Sequence, residues 1–436
     1  MEKGLICDNL KINDNGELVF AGVNVISLAK KYGTPLYVMD ENKIRQNCKT
    51  YYDAVKQAFG EKGAVLFASK ALSFKRIYEI VCEEGLGIDV VSQGEIFTAK
   101  NAKFPLNKAY FHSNNKTDDD IEFALSNGVG YFVVDNEEEL LSINEIAKSK
   151  GVKASVLLRL TPGIDPHTYE AVSTGKVDSK FGSPIETGQA LEITKTALSL
   201  SNVTLYGFHC HIGSQVFDSS VYFQAVDVMF DFVKQVKEEL SYTTIQLDLG
   251  GGYGVKYVES QPKIDIKENI LQVGRYVKEK VKTLGIEMPC ILFEPGRSIV
   301  ADSGLTLYTV GTVKRIKGYK NYVSVDGGMT DNPRFALYKA DYTLVPCYDM
   351  LIARDMTCSV VGRCCESGDI IQENVKMPST IKRGDVIACL TTGAYNFSMS
   401  SNYNKVLRPA VVMVKDGNDY LAVKRQTLEQ LVQDEI

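Results

Sequence analysis

A lysine closes a short apolar run in Phe67-Ala-Ser-Lys70-Ala. Residues 64–68 read as a strand that gives way to a helical pattern. Lys70 therefore projects its amine from a strand end, where partial burial lowers an ammonium pKa and makes the group nucleophilic. Taken alone, the same lysine is equally an ordinary solvated side chain. Four further segments sit in the same relation to an apolar run. Asp89 lies in the run 87–91, His211-Ile-Gly-Ser214 ends the run 203–211, Gly250-Gly251-Gly252 follows 244–249, and Glu294-Pro-Gly296-Arg297 ends 290–294. Each has a plain structural reading, the glycines as a turn and Glu294 with Arg297 as a surface pair. Five such coincidences at one set of strand ends argue for a shared site.

The parts are a nucleophilic amine, backbone N–H groups that suit an anion, an imidazole face and carboxylates. They describe a pocket for pyridoxal 5'-phosphate. Lys70 would hold the aldehyde as a Schiff base, and Gly250, Gly251 and Gly252 would offer N–H groups to the phosphate. His211 would cover one ring face. Glu294 would pair with the pyridine nitrogen and keep it protonated, which gives the strong electron sink that decarboxylation needs. An arginine in that place would suit racemisation better.

These residues must be carried by regular elements. Apolar runs at 64–69, 87–91, 109–113, 131–135, 154–160, 203–211, 244–249 and 290–294 read as eight strands. Segments 74–84, 118–126, 137–150, 219–240 and 266–284 place apolar residues three and four apart, as helices do. Eight strands with intervening helices predict an α/β fold, a (β/α)8 TIM barrel whose chemistry sits at the C-terminal strand ends. No G-x-G-x-x-G opens the first unit, which argues against an open dinucleotide-binding sheet. Beyond residue 304 strands follow one another without long helices, at 306–316, 321–326, 357–361, 385–390, 409–415 and 420–424. The first thirty residues also read as strands, 5–12 and 18–20, around the turn Asn13-Asp-Asn-Gly16. The expected division is a barrel over 33–304 and a mainly β domain, sandwich-like or barrel-like, built from 1–32 and 305–436.

Composition narrows the partners. The 436 residues carry 49 basic and 54 acidic side chains, a net charge of −5, without a basic tract for nucleic acid. No run approaches a bilayer span, and the N-terminus lacks a signal-peptide core, so a cytoplasmic address is expected. Ten scattered cysteines without a C-x-x-C pair read as reduced thiols. His209-Cys-His211 places two imidazoles on one face of a strand, half of a metal site. The four histidines show no zinc spacing with cysteine, and no metal is expected.

The segments Phe67-Ala-Ser-Lys-Ala, Gly207-Phe-His-Cys-His-Ile-Gly-Ser-Gln215, Asp248-Leu-Gly-Gly-Gly-Tyr-Gly254, Glu294-Pro-Gly-Arg297, Cys365-Glu-Ser-Gly-Asp369 and Thr392-Gly-Ala-Tyr395 together resemble those of the diaminopimelate decarboxylases, pyridoxal-phosphate enzymes of fold type III. The likeness runs in order over essentially the whole chain, although several motifs taken singly also occur in ornithine and arginine decarboxylases. It implies conversion of meso-diaminopimelate to L-lysine and carbon dioxide, the last step of lysine biosynthesis. It also implies that Lys70 is the cofactor lysine, His211 the stacking residue and Glu294 the partner of the ring nitrogen. Ser214, Gly252, Gly296 and Tyr395 would contact the phosphate, and Arg297, Arg334 and Tyr338 the distal carboxylate of the substrate. Glu366 would hold the distal ammonium, and Cys365 would be the acid near the substrate Cα. The Cys-Glu-Ser segment would reach the site of a partner subunit in a homodimer. A strand at this point would turn Cys364 and Cys365 to opposite faces.

The sequence departs from the family pattern at Phe335, Leu72 and Asn396, and at Tyr169 and Ala171, none of which has an implied chemical role. The alternatives are a decarboxylase for ornithine, arginine or carboxynorspermidine, against which Arg297, Arg334, Tyr338 and Glu366 speak together, and a non-catalytic regulator, against which the retained Lys70, Glu294 and Cys365 speak.

Overall fold

The protein is described by a computed structural model covering residues 5–164 and 178–436. The expectations for Tyr169 and Ala171 fall outside the described residues. Two compact units divide the chain. One comprises Asn47–Gly254 and Ile264–Gly296, the other Met1–Gln46, Val255–Lys263 and Arg297–Ile436.

The first unit is the expected barrel. Its strands are β1 Gly63–Ala68, β2 Gly87–Val90, β3 Ala109–Phe111, β4 Tyr131–Val134, β5 Ala154–Thr161, β6 Val203–His209, β7 Gln246–Asp248 and β8 Cys290–Phe293. Each pairs in parallel with its neighbour in chain order, and β8 pairs with β1, which closes the sheet. Closure leaves both strand faces covered, so these runs are apolar on both sides rather than alternating. Phe67, Phe111, Phe132, Phe208 and Phe293 are almost wholly buried.

Around the strands lie α1 Lys75–Glu83, α2 Gln93–Asn101, α3 Asp118–Ser126, α4 Glu137–Ser149, α5 Gln189–Ser199, α6 Ser220–Leu240 and α7 Ile266–Leu284. Their starts are written locally. Thr117 and Asp120 form a capping box at α3, Asn136 accepts from the Glu139 N–H at α4, and Asp265 accepts from the Glu268 N–H at α7. Helix α2 gives no clear apolar stripe in the sequence, and that of α5 is built largely of small residues. Phe97 of α2 is exposed, and the buried face of α5 is Ala190, Ile193, Thr194 and Ala197, mostly small or polar.

In the second unit, β9 Gly304–Ile316, β10 Lys320–Val325, β11 Leu344–Pro346, β12 Met356–Val361, β13 Ile370–Met377, β14 Val386–Leu390, β15 Ala410–Lys415 and β16 Asn418–Val423 form the β domain. The expected barrel start at 33 does not match this division. Leu36–Asp40 pairs antiparallel with β9 and parallel with β15, so it belongs to the β unit. The N-terminal hairpin Leu10–Ile12 with Leu18–Phe20 forms as expected, but residues Val25–Tyr32 are a helix capped by Asn24.

One buried ion pair fixes the exits of β3 and β4. Lys116 Nζ lies 2.7 Å from Glu139 Oε1 and also donates to the Ser113 and Val133 carbonyls, with neither charged side chain more than 3% exposed. Removing one partner strands the other charge in a dry interior. Glu139→Ala should therefore cost about 3 kcal/mol of stability. A denaturant midpoint within error of the parent would show that the pair carries no such role.

Candidate active site

The C-terminal ends of the barrel strands gather most of the singled-out polar groups. Lys70 sits in the single turn Ser69–Ala71 after β1, its Nζ 3.9 Å from Asp89 Oδ2. Asp89 is 1% exposed, whereas 47% of the Lys70 side-chain surface is open, so the lysine is only partly buried. The opening leaves the amine within reach of an incoming aldehyde. Burial pushes the Asp89 carboxyl up, while His112 and Lys70 oppose it.

Glu294 stands just past β8 with 5% of its surface exposed. His209 Nε2 lies 3.0 Å from its Oε2, in hydrogen-bond geometry. His112 Nε2 approaches Oε1 at 2.7 Å, too poorly aligned for a hydrogen bond, and Oε1 has no hydrogen-bond partner. Burial would push Glu294 up, but the charges of His112 and His209 and the hydrogen bond from His209 outweigh it and hold the carboxyl well below its ordinary range. Burial pushes His209 down to about 4, which keeps the ring neutral with its proton on Nε2. The sequence kept these histidines apart, yet β3, β6 and β8 bring His112, His209 and Glu294 within 4.8 Å of one another. Three ligand-type atoms without a fourth protein donor among the described residues read as a carboxylate held by two imidazoles. His112 was missed in the sequence, although a histidine at the end of a barrel strand was a usable signal.

The glycine loop after β7 is built by close approach. A Cβ on Gly250 would lie 2.6 Å from the Cys210 carbonyl oxygen, on Gly251 2.1 Å from that of Glu294, and on Gly252 2.4 Å from that of Gly213. Gly250 and Gly252 also have φ of +69° and +118°, conformations that favour glycine. The three N–H groups are not equivalent, as the sequence reading had them. Gly250 N–H donates to Asp248 Oδ1 at 2.8 Å and Gly251 N–H to His211 Nδ1 at 3.3 Å, while Gly252 N–H has no partner among the described residues. Accepting at Nδ1 places the His211 proton on Nε2. Burial, and then Lys70, push that ring well below 6.5, so it stays uncharged. Gly296 packs on the end of β1, where a Cβ would meet the Ala68 methyl at 2.9 Å. Ser214 is half-buried in the segment after β6.

The second unit contains its own cationic cluster. Arg297 and Arg334 are 5% and 6% exposed, and their guanidinium carbons lie 4.7 Å and 5.3 Å from the ring centre of Tyr395. Arg334 also approaches the Tyr338 ring at 5.5 Å, and Arg297 Nη1 donates to Tyr257 Oη at 2.8 Å. Tyr257 was missed. It lies in Val255–Lys263, an excursion into this unit from within the barrel sequence. Tyr395 holds φ of +61°, a strained value for a non-glycine residue. Asn396 braces it from full burial by donating to the Thr392 and Ala394 carbonyls. Phe335 and Leu72 are buried apolar side chains. Cys364, Cys365 and Glu366 lie in the segment 362–369 between β12 and β13, outside any strand, so the opposite-face argument does not apply to the two thiols. Cys365 and Glu366 are exposed, while Cys364 is half-buried, its thiol pushed up to about 11 by burial and Asp369.

Comparison with known proteins shows the family. The family model for the pyridoxal-dependent decarboxylase pyridoxal-binding domain matches residues 41–301. The diaminopimelate decarboxylase of Bacillus methanolicus is 44% identical, with 95% of this chain and 96% of that protein covered. That of Bacillus subtilis is 42% identical, with 96% and 95% covered. The chain belongs to the diaminopimelate decarboxylase family. A crystal structure of the family enzyme from M. jannaschii, in co-complex with L-lysine, superposes with a TM-score of 0.91 at 34% identity, covering 99% of this chain and 98% of that one.

The residues present fit the family's cofactor, pyridoxal 5'-phosphate. Glu294 Oε1 and both Asp89 carboxylate oxygens are buried acceptors without a hydrogen-bond partner among the described residues, suited to a ring N–H and to the Lys70 ammonium. Gly252 supplies a free N–H where two neighbouring glycines make room.

The neutral His209 has a measurable consequence. Its pKa is below that of an unfolded histidine, so its contribution to stability is complete above about pH 6.5 and is lost as pH falls toward 4. NMR titration of the cofactor-free protein should show the His209 ring unprotonated at pH 5.5. A midpoint near 6.5 would contradict the described burial.

Proposed function

We infer that this chain decarboxylates meso-2,6-diaminopimelate to L-lysine and carbon dioxide, in the cytoplasm, as the last step of lysine biosynthesis. The observation that carries the substrate assignment is the buried pair Arg297 and Arg334. Arg334 has no ion pair among the described residues, and its Nε is buried without a hydrogen-bond partner. A buried guanidinium left in that state costs several kcal/mol until an anion arrives. A carboxylate matches its fork geometry, and ornithine has no carboxylate at that end.

Pyridoxal 5'-phosphate, when bound, supplies the electron sink for the pair left as the Cα–carboxylate bond breaks. Lys70 offers its amine to the cofactor aldehyde, with Asp89 as the buried counter-charge that orients it. Glu294, ionised, would accept a hydrogen bond from the ring N–H at Oε1 and so keep that nitrogen protonated. His211, uncharged, gives an apolar stacking face, so it competes for no proton. Ser214, Gly252, Gly296 and Tyr395 hold the phosphate, with Gly250 and Gly251 shaping the loop around it. Arg297, Arg334 and Tyr338 hold the distal carboxylate, which selects the substrate and sets which carboxylate departs. Glu366 takes the distal ammonium, and the Cys365 thiol returns a proton to Cα.

The last two groups act across a homodimer in this reading, because each lies exposed on its own chain. Two-fold symmetry then gives two shared sites.

The purified protein supplied with pyridoxal phosphate should release carbon dioxide and L-lysine from meso-diaminopimelate and leave ornithine and arginine unchanged. Arg334→Ala should lower kcat/KM on the order of a hundredfold with an unaltered bound-cofactor spectrum. Turnover of ornithine or arginine in place of diaminopimelate, or loss of cofactor from Arg334→Ala, would overturn the assignment. Mixing inactive Lys70→Ala and Cys365→Ala chains in equal amounts should restore about a quarter of parental activity through heterodimers with one intact site. No recovery after verified subunit exchange would mean that the sites are not shared.

A further inference from the structure

The cofactor reading assigns Glu294 to the ring nitrogen but says nothing of what keeps that carboxylate ionised and aimed. We propose that His112 and His209 are positioning residues that clamp Glu294, His209 fixing Oε2 by hydrogen bond and His112 bounding Oε1, so that Oε1 alone faces the cofactor ring as acceptor. The inference rests on the cofactor assignment made above.

Three strands supply the clamp. His209 ends β6, His112 follows β3 and Glu294 follows β8, and the imidazoles brace each other edge to face with centroids 4.9 Å apart at 73°. All three side chains are almost wholly buried, His209 at 1%, His112 at 7% and Glu294 at 4% exposure, so neither distance reflects a wandering surface group. His209 Nδ1 is left without a hydrogen-bond partner. The ring thus directs its one N–H at Glu294 and gains nothing on its other side. A role confined to core packing would not orient a polar ring in this way.

Other charges face the same carboxylate, and they make the clamp necessary. Asp89 comes from β2, Arg159 from β5, His211 from the β6 exit and Asp248 from β7. Burial pushes Asp248 well above the ordinary carboxylate range, and the charge of Glu294 pushes it further. Asp89 is pushed up for the same first reason. Among these crowded acids only Glu294 is offered an imidazole N–H. Asp248 is thus held toward its neutral form and Glu294, the carboxylate assigned to the ring nitrogen, toward its anion. The same tuning explains why the carboxylate does not simply protonate when buried. Without the imidazole donor, a protonated Glu294 presents a neutral acid to the ring and no longer holds its nitrogen charged.

The test uses His209→Leu, which removes the donor, and His209→Gln, which keeps an N–H in a side chain of similar reach, each in the full chain. In cofactor-free protein, infrared spectra across pH 6 to 8 read Glu294 directly, its band assigned by loss in Glu294→Gln. The parent and His209→Gln should show an ionised carboxylate, and His209→Leu the carbonyl stretch of a protonated acid. With ring-15N pyridoxal phosphate bound, the nitrogen resonance should be that of a protonated pyridine in the parent and His209→Gln, and should move toward the neutral value in His209→Leu. Affinity for pyridoxal phosphate should fall roughly tenfold in His209→Leu and be restored in His209→Gln. An ionised Glu294 and an unmoved 15N resonance in His209→Leu would overturn the clamp. If His209→Leu does not fold, the outcome passes to His209→Met, which also removes the donor, and an ionised carboxylate with a parental 15N resonance there would overturn it equally. The infrared arm needs no cofactor or turnover, so its failure is distinct from failure of the decarboxylase reading.

Discussion

An ionised carboxylate buried at the mouth of a closed barrel is the constraint around which this site is arranged. Glu294 loses its hydration, a cost of several kcal/mol for a lone ion even after relaxation. The barrel offsets that cost with polar groups from other strands, His209 from β6 and His112 from beyond β3. Parallel closure makes this possible, since only a closed sheet turns the same ends of β3, β6 and β8 toward one point. A charge retained in this way is available to hold a ring nitrogen protonated without waiting for solvent to reorganise.

Backbone proximity is the second consequence. The Glu294 N–H donates to the Gly250 carbonyl at 2.8 Å, and the Ala68 N–H donates to the Pro295 carbonyl at 3.1 Å. The Glu-Pro-Gly segment is thereby tied to the glycine loop on one side and to the end of β1 on the other, next to Lys70. No side chain fits at Gly251 or Gly296 without moving backbone or packed methyl groups. The Glu294 carboxylate, the glycine loop and the turn that carries Lys70 are thus held by one set of short backbone contacts rather than by independent loops.

Much of this was legible in the sequence because a barrel writes each strand as a continuous apolar run and ends it with polar residues. Lys70, Asp89, His211 and Glu294 were visible for that reason. What was lost depends on long-range pairing. The run Leu36–Asp40 is buried along its whole length, like a barrel strand, and only its pairing with β9 and β15 assigns it to the β domain. Tyr257 was hidden because the chain leaves the barrel for nine residues without any change in composition. His112 and His209 read as two of four scattered histidines, since strand runs do not reveal which rings meet across a closed sheet. The equal treatment of three glycine N–H groups failed on a local detail: the Asp248 carboxylate and the His211 ring each take one of them. Asn396 looked like a departure from the family pattern, yet its amide braces Tyr395 in a left-handed conformation, a role invisible without the fold.

The central claim is that Lys70, facing the buried Asp89 at the end of β1, is the cofactor's covalent anchor. The most direct measurement is borohydride reduction of the protein loaded with pyridoxal phosphate, followed by proteolysis and mass spectrometry of the modified peptide. The account requires a single phosphopyridoxyl group on Lys70. A label on another lysine under saturating, substrate-free conditions, or none at all, would contradict it.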